Sequence, residues 1–435
     1  MVRFLICFYI VVVLSTEASG QIESDSVGSI SLPVDSYSGI MDTMIINHHP
    51  YIRFADNRIE NGGGNTLRHF INTFDSLAKY NDRQLLIYHF GGSHIQADAY
   101  PNRVRTHLQA FDTCMRGPRG WIFPFSAVAT NNPSNYHVQH TGKWKAVRSP
   151  VKKDSSKLLG LMGISASTKD SLSTIKIFNG ASDSSFRLMR VRVYHNFQPG
   201  NYDLRITGIN DSVKVMPDPA AGFTEFDLPY PSDTLSLVVE RCTTDTLPFT
   251  LYGILLLNAE PGIIYNSIGV NGASFESYLR CQLFDQQLAQ LPPDLAIISI
   301  GTNDANDSGF SPEKYAGNYE AFVHKIQKAN PGCALIFTVP NDNYYKYRYP
   351  QKNIAKCRTV IYELAKKYDA GIWDFYDIMG GFGSSQKWYR DKLMKKDRIH
   401  FTKEGYDIKG DLFYEAFLKW YLQESCLPEI KIMKN

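Results

Sequence analysis

Net charge, closely spaced cysteines and long apolar runs are all scarce in this 435-residue chain. Lysine and arginine (46) nearly balance aspartate and glutamate (43), leaving a formal charge of +3. So small an excess argues against a nucleic-acid partner. The seven cysteines lack the short paired spacings of a zinc site. Beyond Leu14 no segment has the uncharged apolar length of a membrane-spanning helix, so no integral membrane segment is expected in the mature chain.

What is present begins with a leader. Arg3 precedes an apolar run from Phe4 to Leu14, and Ala18-Ser19-Gly20 forms a small-residue cleavage site before Gln21. This pattern predicts a signal peptide over 1–20, cut after Gly20, and a periplasmic or secreted product. Cys7 lies inside the apolar run and is not read as a lipid anchor. Cys114, Cys242, Cys281, Cys333, Cys357 and Cys426 remain. An even number permits disulfides and isolated buried thiols fit as well, so the sequence fixes no pairing. Nor does it fix an oligomeric state.

Residues 21–42 mix Ser, Asp and Gly with isolated apolar residues, as an irregular arm would. Leu67, Phe70, Ile71, Phe74 and Leu77 fall at helical spacing. Leu85 to Tyr88 reads as a short buried strand, 102–111 as a helix, and the glycine-rich 116–121 as a loop. From 130 to 252 the chain breaks into short alternating segments such as Met189-Arg-Val-Arg-Val-Tyr, with turn signals about every ten residues, the pattern of an inserted all-β sandwich. From Ile254 strands and helices alternate: strand and exit loop 265–272, helix 275–288, strand 294–300, helix 312–329, strand 334–339, helix 353–368, a strand from 371 and a closing helix 404–422. That order predicts an α/β fold, a parallel sheet covered on both faces. It occupies 21–129 and 253–425, with the β-sandwich interrupting it.

Three short motifs carry candidate chemistry. Ser93 follows Gly91-Gly92 at a strand end, which puts its hydroxyl at the carboxyl edge of the sheet, where open α/β folds bind ligands. A capping serine would read the same way. A serine nucleophile needs a base. His400 fits that role, with Asp397 three residues earlier to orient the imidazole; a capped loop fits the same tetrapeptide. Acyl transfer also needs oxyanion donors. Asn303, after Gly301, offers a side-chain amide, and Gly272 and Ser93 offer backbone N–H groups.

In chain order these blocks resemble the SGNH (GDSL-type) hydrolase family, over about 85–125 and 254–422. The resemblance implies a flavodoxin-like three-layer sheet. It makes Ser93 the nucleophile, His400 and Asp397 the acid–base pair, and Gly272, Asn303 and Ser93 the oxyanion hole, with neither metal nor cofactor. The family's first block usually reads Gly-Asp-Ser, where this chain has Gly91-Gly92-Ser93; the missing aspartate helps hold the loop. Within the family, residues 91–98, 117–124, 374–381 and the β insertion are similar to exported bacterial peptidoglycan O-acetylesterases. The inserted domain of that group resembles a carbohydrate-binding module.

That likeness implies an acetylated glycan, with peptidoglycan foremost, as substrate. His94, Gln96, Arg119, Tyr344 and Tyr345 are candidate contacts, the last two within the tyrosine-rich run 343–349. Trp121, Trp388 and Tyr389 are candidate cleft walls, and Trp144 with the aromatics of 186–226 a candidate glycan face; packing is the alternative for each. Two other functions stay open: a lipase or thioesterase with a long apolar groove, and a catalytically silent glycan-binding protein, which rests on Gly92.

Overall fold

The computed structural model describes residues 48–112, 115–151, 157–179, 187–209, 212–244 and 247–425. The expected leader and N-terminal arm, Cys7, Cys114 and Cys426 lie outside them. Five strands form a parallel sheet: β1 (Gln84–Gly91), β2 (Gly262–Gly269), β3 (Leu295–Ser299), β4 (Ala334–Thr338) and β5 (Gly371–Trp373). Their order is β2-β1-β3-β4-β5, the flavodoxin-like arrangement with its switch point between β1 and β3.

Alternate side chains of each strand enter different cores. Leu85, Ile87, Leu295 and Ile297 pack to one side with α1 (Asn65–Tyr80), α2 (Ala99–Gln109) and α5 (Lys403–Glu424). Tyr88, Phe90, Ala296 and Ile298 pack to the other with α3 (Pro312–Ala329) and α4 (Asn353–Tyr368). Burial on both faces is why these strands read as unbroken apolar runs. The periodic stripe of α1, from Leu67 to Leu77, is buried as its spacing predicts.

Between β1 and β2 the chain forms antiparallel sheets of seven and four strands. Val191, Val193, Phe226, Leu237, Val239 and Leu251 point inward, and this core is continuous with the α3/α4 side of the parallel sheet. Trp121 keys the two together. Its indole N–H donates to Tyr88 Oη at 3.3 Å and its ring lies 4.5 Å from that of Tyr194.

Three local expectations change. Gly120 and Trp121, the end of the loop expected over 116–121, belong instead to a strand (Gly120–Ile122) paired with Ile254–Leu256, because Trp121 and Ile122 bury better there than in solvent. That partner strand runs Phe249–Leu257, so the antiparallel sheet continues past residue 252. The single helix expected over 275–288 is two, Phe275–Leu279 and Phe284–Ala289. Between them Leu283 N–H donates to Leu159 O at 3.0 Å, a bond outside the helical ladder. No disulfide joins the four described cysteines: Cys281, Cys333 and Cys357 are buried free thiols and Cys242 is exposed. Among the described residues no helix is long and apolar enough to cross a membrane.

Candidate active site

The register of the sheet brings three loops together. Gly91 at the end of β1 pairs with Gly269 at the end of β2 and with Ser299 at the end of β3. The chain therefore leaves all three strands at one level, and Ser93, Gly272 and Asn303 follow within a few residues. Gly272 sits at φ +84° and Gly301 at φ +145°, backbone regions that side chains resist. At Gly301 a Cβ would also approach Tyr315 Oη to 2.7 Å. At Gly272 the demand is conformational, since a Cβ would meet only Pro150 at 3.6 Å.

Ser93 Oγ lies 2.7 Å from His400 Nε2, and His400 Nδ1 lies 2.8 Å from Asp397 Oδ2. The second contact assigns the imidazole proton to Nδ1 and leaves Nε2 to accept from the serine. Asp397 serves both readings of its tetrapeptide. Its Oδ1 accepts from Ile399 N–H at 2.9 Å and His400 N–H at 3.0 Å, capping the turn, while Oδ2 orients the ring. Burial raises its pKa, but hydrogen bonds from the His400 side chain and from these two amides outweigh it and hold the carboxyl at about 2. Asp397 is thus ionised across any ordinary working pH.

Asn303 Nδ2 donates to Ala273 O at 2.8 Å, fixing the amide and leaving its second hydrogen available. A Cβ at Gly92 would come within 3.0 Å of that nitrogen. The Gly92 departure therefore removes a side chain that would press on the Asn303 amide, while the Ala273 carbonyl holds the amide in place. Ser93 opens a short helix (Ser93–Gln96), where an N–H has no partner in the helix itself.

A cavity of about 450 Å³ is lined by Ser93, His400, Gly272 and Asn303. A second, of about 350 Å³, shares Gly272 and Asn303 and carries Glu276, Arg280, Asp304, Asp307 and Lys314. No cluster of His, Cys, Asp or Glu among the described residues has the make-up of a metal site.

The other candidates divide. His94 lines the cavity but packs behind the base, its Nδ1 2.9 Å from Tyr406 Oη and its ring 5.2 Å from that of His400. Burial and then the Lys409 charge push its pKa well down. Gln96 is a brace: its amide donates to Asn131 O at 2.9 Å and its oxygen accepts from Asn271 N–H at 2.7 Å, tying up the loop that bears Gly272. Arg119 meets no substrate, being buried in an ion pair with Asp98 that Arg105 shares. Tyr344 and Tyr345 lie outside the cavity lining; from their hairpin it is Tyr347 that reaches it.

Trp121 and Trp388 are core residues, and Tyr389 is partly buried and packed against the core on the α1, α2 and α5 side of the sheet. Trp144 is buried edge-on to Phe249, and its indole N–H is taken by Thr141 O. Tyr194, Phe223 and Phe226 are also buried, Phe197 and Tyr202 are half-buried, and Phe186 lies outside the described residues, so no fully exposed aromatic face is present among the described rings. Sequence reasoning missed Tyr347, Lys395, Asn131, Asn271 and Tyr406 in the lining. The tyrosine run signalled the first, and the pair Lys395-Lys396 beside Asp397 the second.

Residues 254–408 match the GDSL-like Lipase/Acylhydrolase family. The chain carries a GDSL-like lipase/acylhydrolase domain. Gly272, Asn303, Asp397 and His400 fall within the matched residues of this GDSL domain, and Ser93 precedes them. The chain has the SGNH hydrolase fold, and its enzyme class is ester hydrolase. Among solved structures it is similar to a peptidoglycan O-acetylesterase, with 19% identity over 81% of this chain and 96% of that one at a TM-score of 0.67. It is also matched by a lipase/acylhydrolase from Enterococcus faecalis (25% identity, 36% of this chain and 74% of that one, TM-score 0.29). A third match is an acetyl xylan esterase from Geobacillus stearothermophilus (23%, 37% and 73%, TM-score 0.28). A comparison with curated proteins returned no match.

Proposed function

We propose that this protein is an exported serine esterase that removes O-acetyl groups from a carbohydrate, with peptidoglycan as the substrate. The observation that carries the reading is the continuous relay from Ser93 Oγ to His400 to Asp397, at 2.7 and 2.8 Å, beside the Gly272 and Asn303 donors. Ser93 Oγ attacks the acetyl carbonyl and passes its proton to His400 Nε2. Asp397 stabilises the imidazolium without taking the proton. Gly272 N–H, Ser93 N–H and Asn303 Nδ2 hold the oxyanion. His400 then protonates the leaving sugar oxygen, and water, activated by the same imidazole, releases acetate from the acetyl-serine.

Three further features support this choice. The leader pattern of residues 1–20 fits delivery to a cell-wall substrate. The likeness to a peptidoglycan O-acetylesterase spans 81% of this chain, more than the GDSL-like segment alone. The exposed lining of the Ser93 cavity is about half polar and half apolar, which suits a sugar, with its hydroxyls and apolar ring faces, better than an alkyl chain. The test is acetate release from O-acetylated peptidoglycan and from acetylated xylan, side by side, with Ser93→Ala as control. Release from peptidoglycan that stops in the variant is expected. Release from xylan alone would replace the substrate, and hydrolysis undiminished in Ser93→Ala would reject the mechanism.

A further inference from the structure

The rim of the Ser93 cavity has a charge and a shape that the reaction itself does not require. Tyr347 sits in the turn of a small hairpin whose strands are Tyr344–Tyr345 and Tyr349–Pro350. Lys346 and Tyr347 have φ of +49° and +59°, and Arg348 N–H donates to Tyr345 O at 3.1 Å. Two successive non-glycine residues in the left-handed region are uncommon and need support from their surroundings.

The support comes from Arg398, inside the Asp397–His400 turn. Its Nη2 donates to Tyr347 O at 2.8 Å, its guanidinium lies 4.2 Å from the Tyr344 ring centre and 5.6 Å from that of Tyr389, and its Nη1 donates to Gln386 Oε1 at 3.2 Å. Arg398 is thus a positioning residue that fastens the hairpin to the loop bearing His400. The clamp grips the Tyr347 main chain and leaves its side chain 60% exposed at the cavity.

Lys395 lines the same cavity and is exposed. Its backbone is fixed by donation to His400 O at 2.8 Å, and among the described residues no carboxylate pairs with its ammonium. Among the described residues no aspartate or glutamate lines this cavity. Asp397 lies behind His400, and the acidic groups Glu276, Asp304 and Asp307 belong to the neighbouring one. A cavity with one permanent cation and an exposed ring favours a substrate that offers a flat apolar face and a negative charge.

We propose that Tyr347 and Lys395 form a subsite for an O-acetylated pyranose that bears a carboxylate, the ring lying on Tyr347 and the carboxylate meeting Lys395. This rests on the carbohydrate-ester reading above; in peptidoglycan such a carboxylate is free only on muramic acid units that carry no stem peptide. Because the carboxylate pair is solvated, its contribution falls with salt.

The experiment uses the full mature protein and a matched pair of mono-O-acetylated methyl pyranosides, one a uronic acid and one its neutral analogue, with p-nitrophenyl acetate alongside. The wild type is expected to favour the acid by about three- to five-fold in kcat/KM at low salt, the scale of an exposed ion pair. That preference should vanish at about 0.5 M salt and in Lys395→Gln at any salt. Tyr347→Ala should raise KM for both sugars by about ten-fold, the scale of one aromatic contact, and Tyr347→Phe should restore it, since the ring and not the hydroxyl is used. Cleavage of both sugars without preference, or a preference that survives Lys395→Gln, would overturn the charge assignment. A KM unmoved in Tyr347→Ala would overturn the platform. Hydrolysis of p-nitrophenyl acetate with neither sugar touched would instead overturn the glycan reading, and the subsite with it.

Discussion

The parallel sheet and the antiparallel sheets place their strand ends differently, and polar side chains follow. All the parallel strands end at one edge, so the loops after β1, β2 and β3 converge and deliver Ser93, Gly272 and Asn303 to one cavity. In the antiparallel sheets neighbouring strands end at opposite edges, and charges pair sideways instead. Arg190 meets Asp227 at 2.7 Å and Arg205 meets Glu240 at 2.5 Å, each across a strand pair on exposed surface. The histidines show the same contrast. His195, within the antiparallel sheets, has both nitrogens occupied by Asn196 O and Thr224 Oγ1, and burial pulls its pKa to about 4. His400 keeps one nitrogen on a carboxylate and turns the other to a serine. A histidine becomes chemically useful where the topology leaves one side of it open.

If the comparison is right, changes at the parallel edge should act on rate and changes in the antiparallel core on stability. The largest effect is expected from Ser93→Ala, with kcat for any ester falling by about 10⁴-fold or more and the unfolding midpoint unmoved. Asp397→Asn should follow, at roughly 10³- to 10⁴-fold, because the amide favours the wrong imidazole tautomer. Steady-state kinetics with circular dichroism of both variants separates loss of rate from loss of fold. Asn303→Ala removes one oxyanion donor and should cost about 10²- to 10³-fold in kcat with little change in KM. Phe226→Ala, inside the antiparallel core, should destabilise by about 3 kcal/mol in urea unfolding while the folded fraction keeps its kcat. A loss of kcat there would show that the shared core transmits strain to the site.

The smallest effect sharpens the picture inside α5. Lys409 is buried, with its ammonium 4.4 Å from the Phe375 ring centre and 4.6 Å from that of Tyr100. Burial lowers its pKa from 10.5 to about 7. The unfolded chain therefore binds more protons between those values, and stability contributed at this residue rises with pH from about 7 to 10.5. Lys409→Met should raise stability by about 1–3 kcal/mol at pH 7 and flatten that rise. Urea midpoints at pH 7 and 9.5 that keep the wild-type difference would contradict the buried-cation account.

Much of the parallel half was legible in the sequence. Helices 312–329 and 353–368 have the limits their periodicity predicts, and Ser93, Asn303, Asp397 and His400 were picked out as strand-exit and loop residues. The substrate contacts were less legible. Arg119 and Gln96 are polar residues near the motif, but polarity does not reveal whether a side chain faces a cavity or a buried partner. Tyr344 and Tyr347 are three residues apart in one hairpin, and only the left-handed turn decides which ring reaches the cavity.

By itself the sequence determined the alternation of strand and helix, the short Asp397–His400 turn and the glycines that let loops leave the sheet, because each depends on residues close along the chain. Only the tertiary structure decided that Ser93 lies 2.7 Å from a histidine 307 positions away. It also decided that Trp121 joins two sheets and that one lysine faces a cavity without carboxylates. Those depend on register and on which faces are buried together, quantities fixed when the whole core forms.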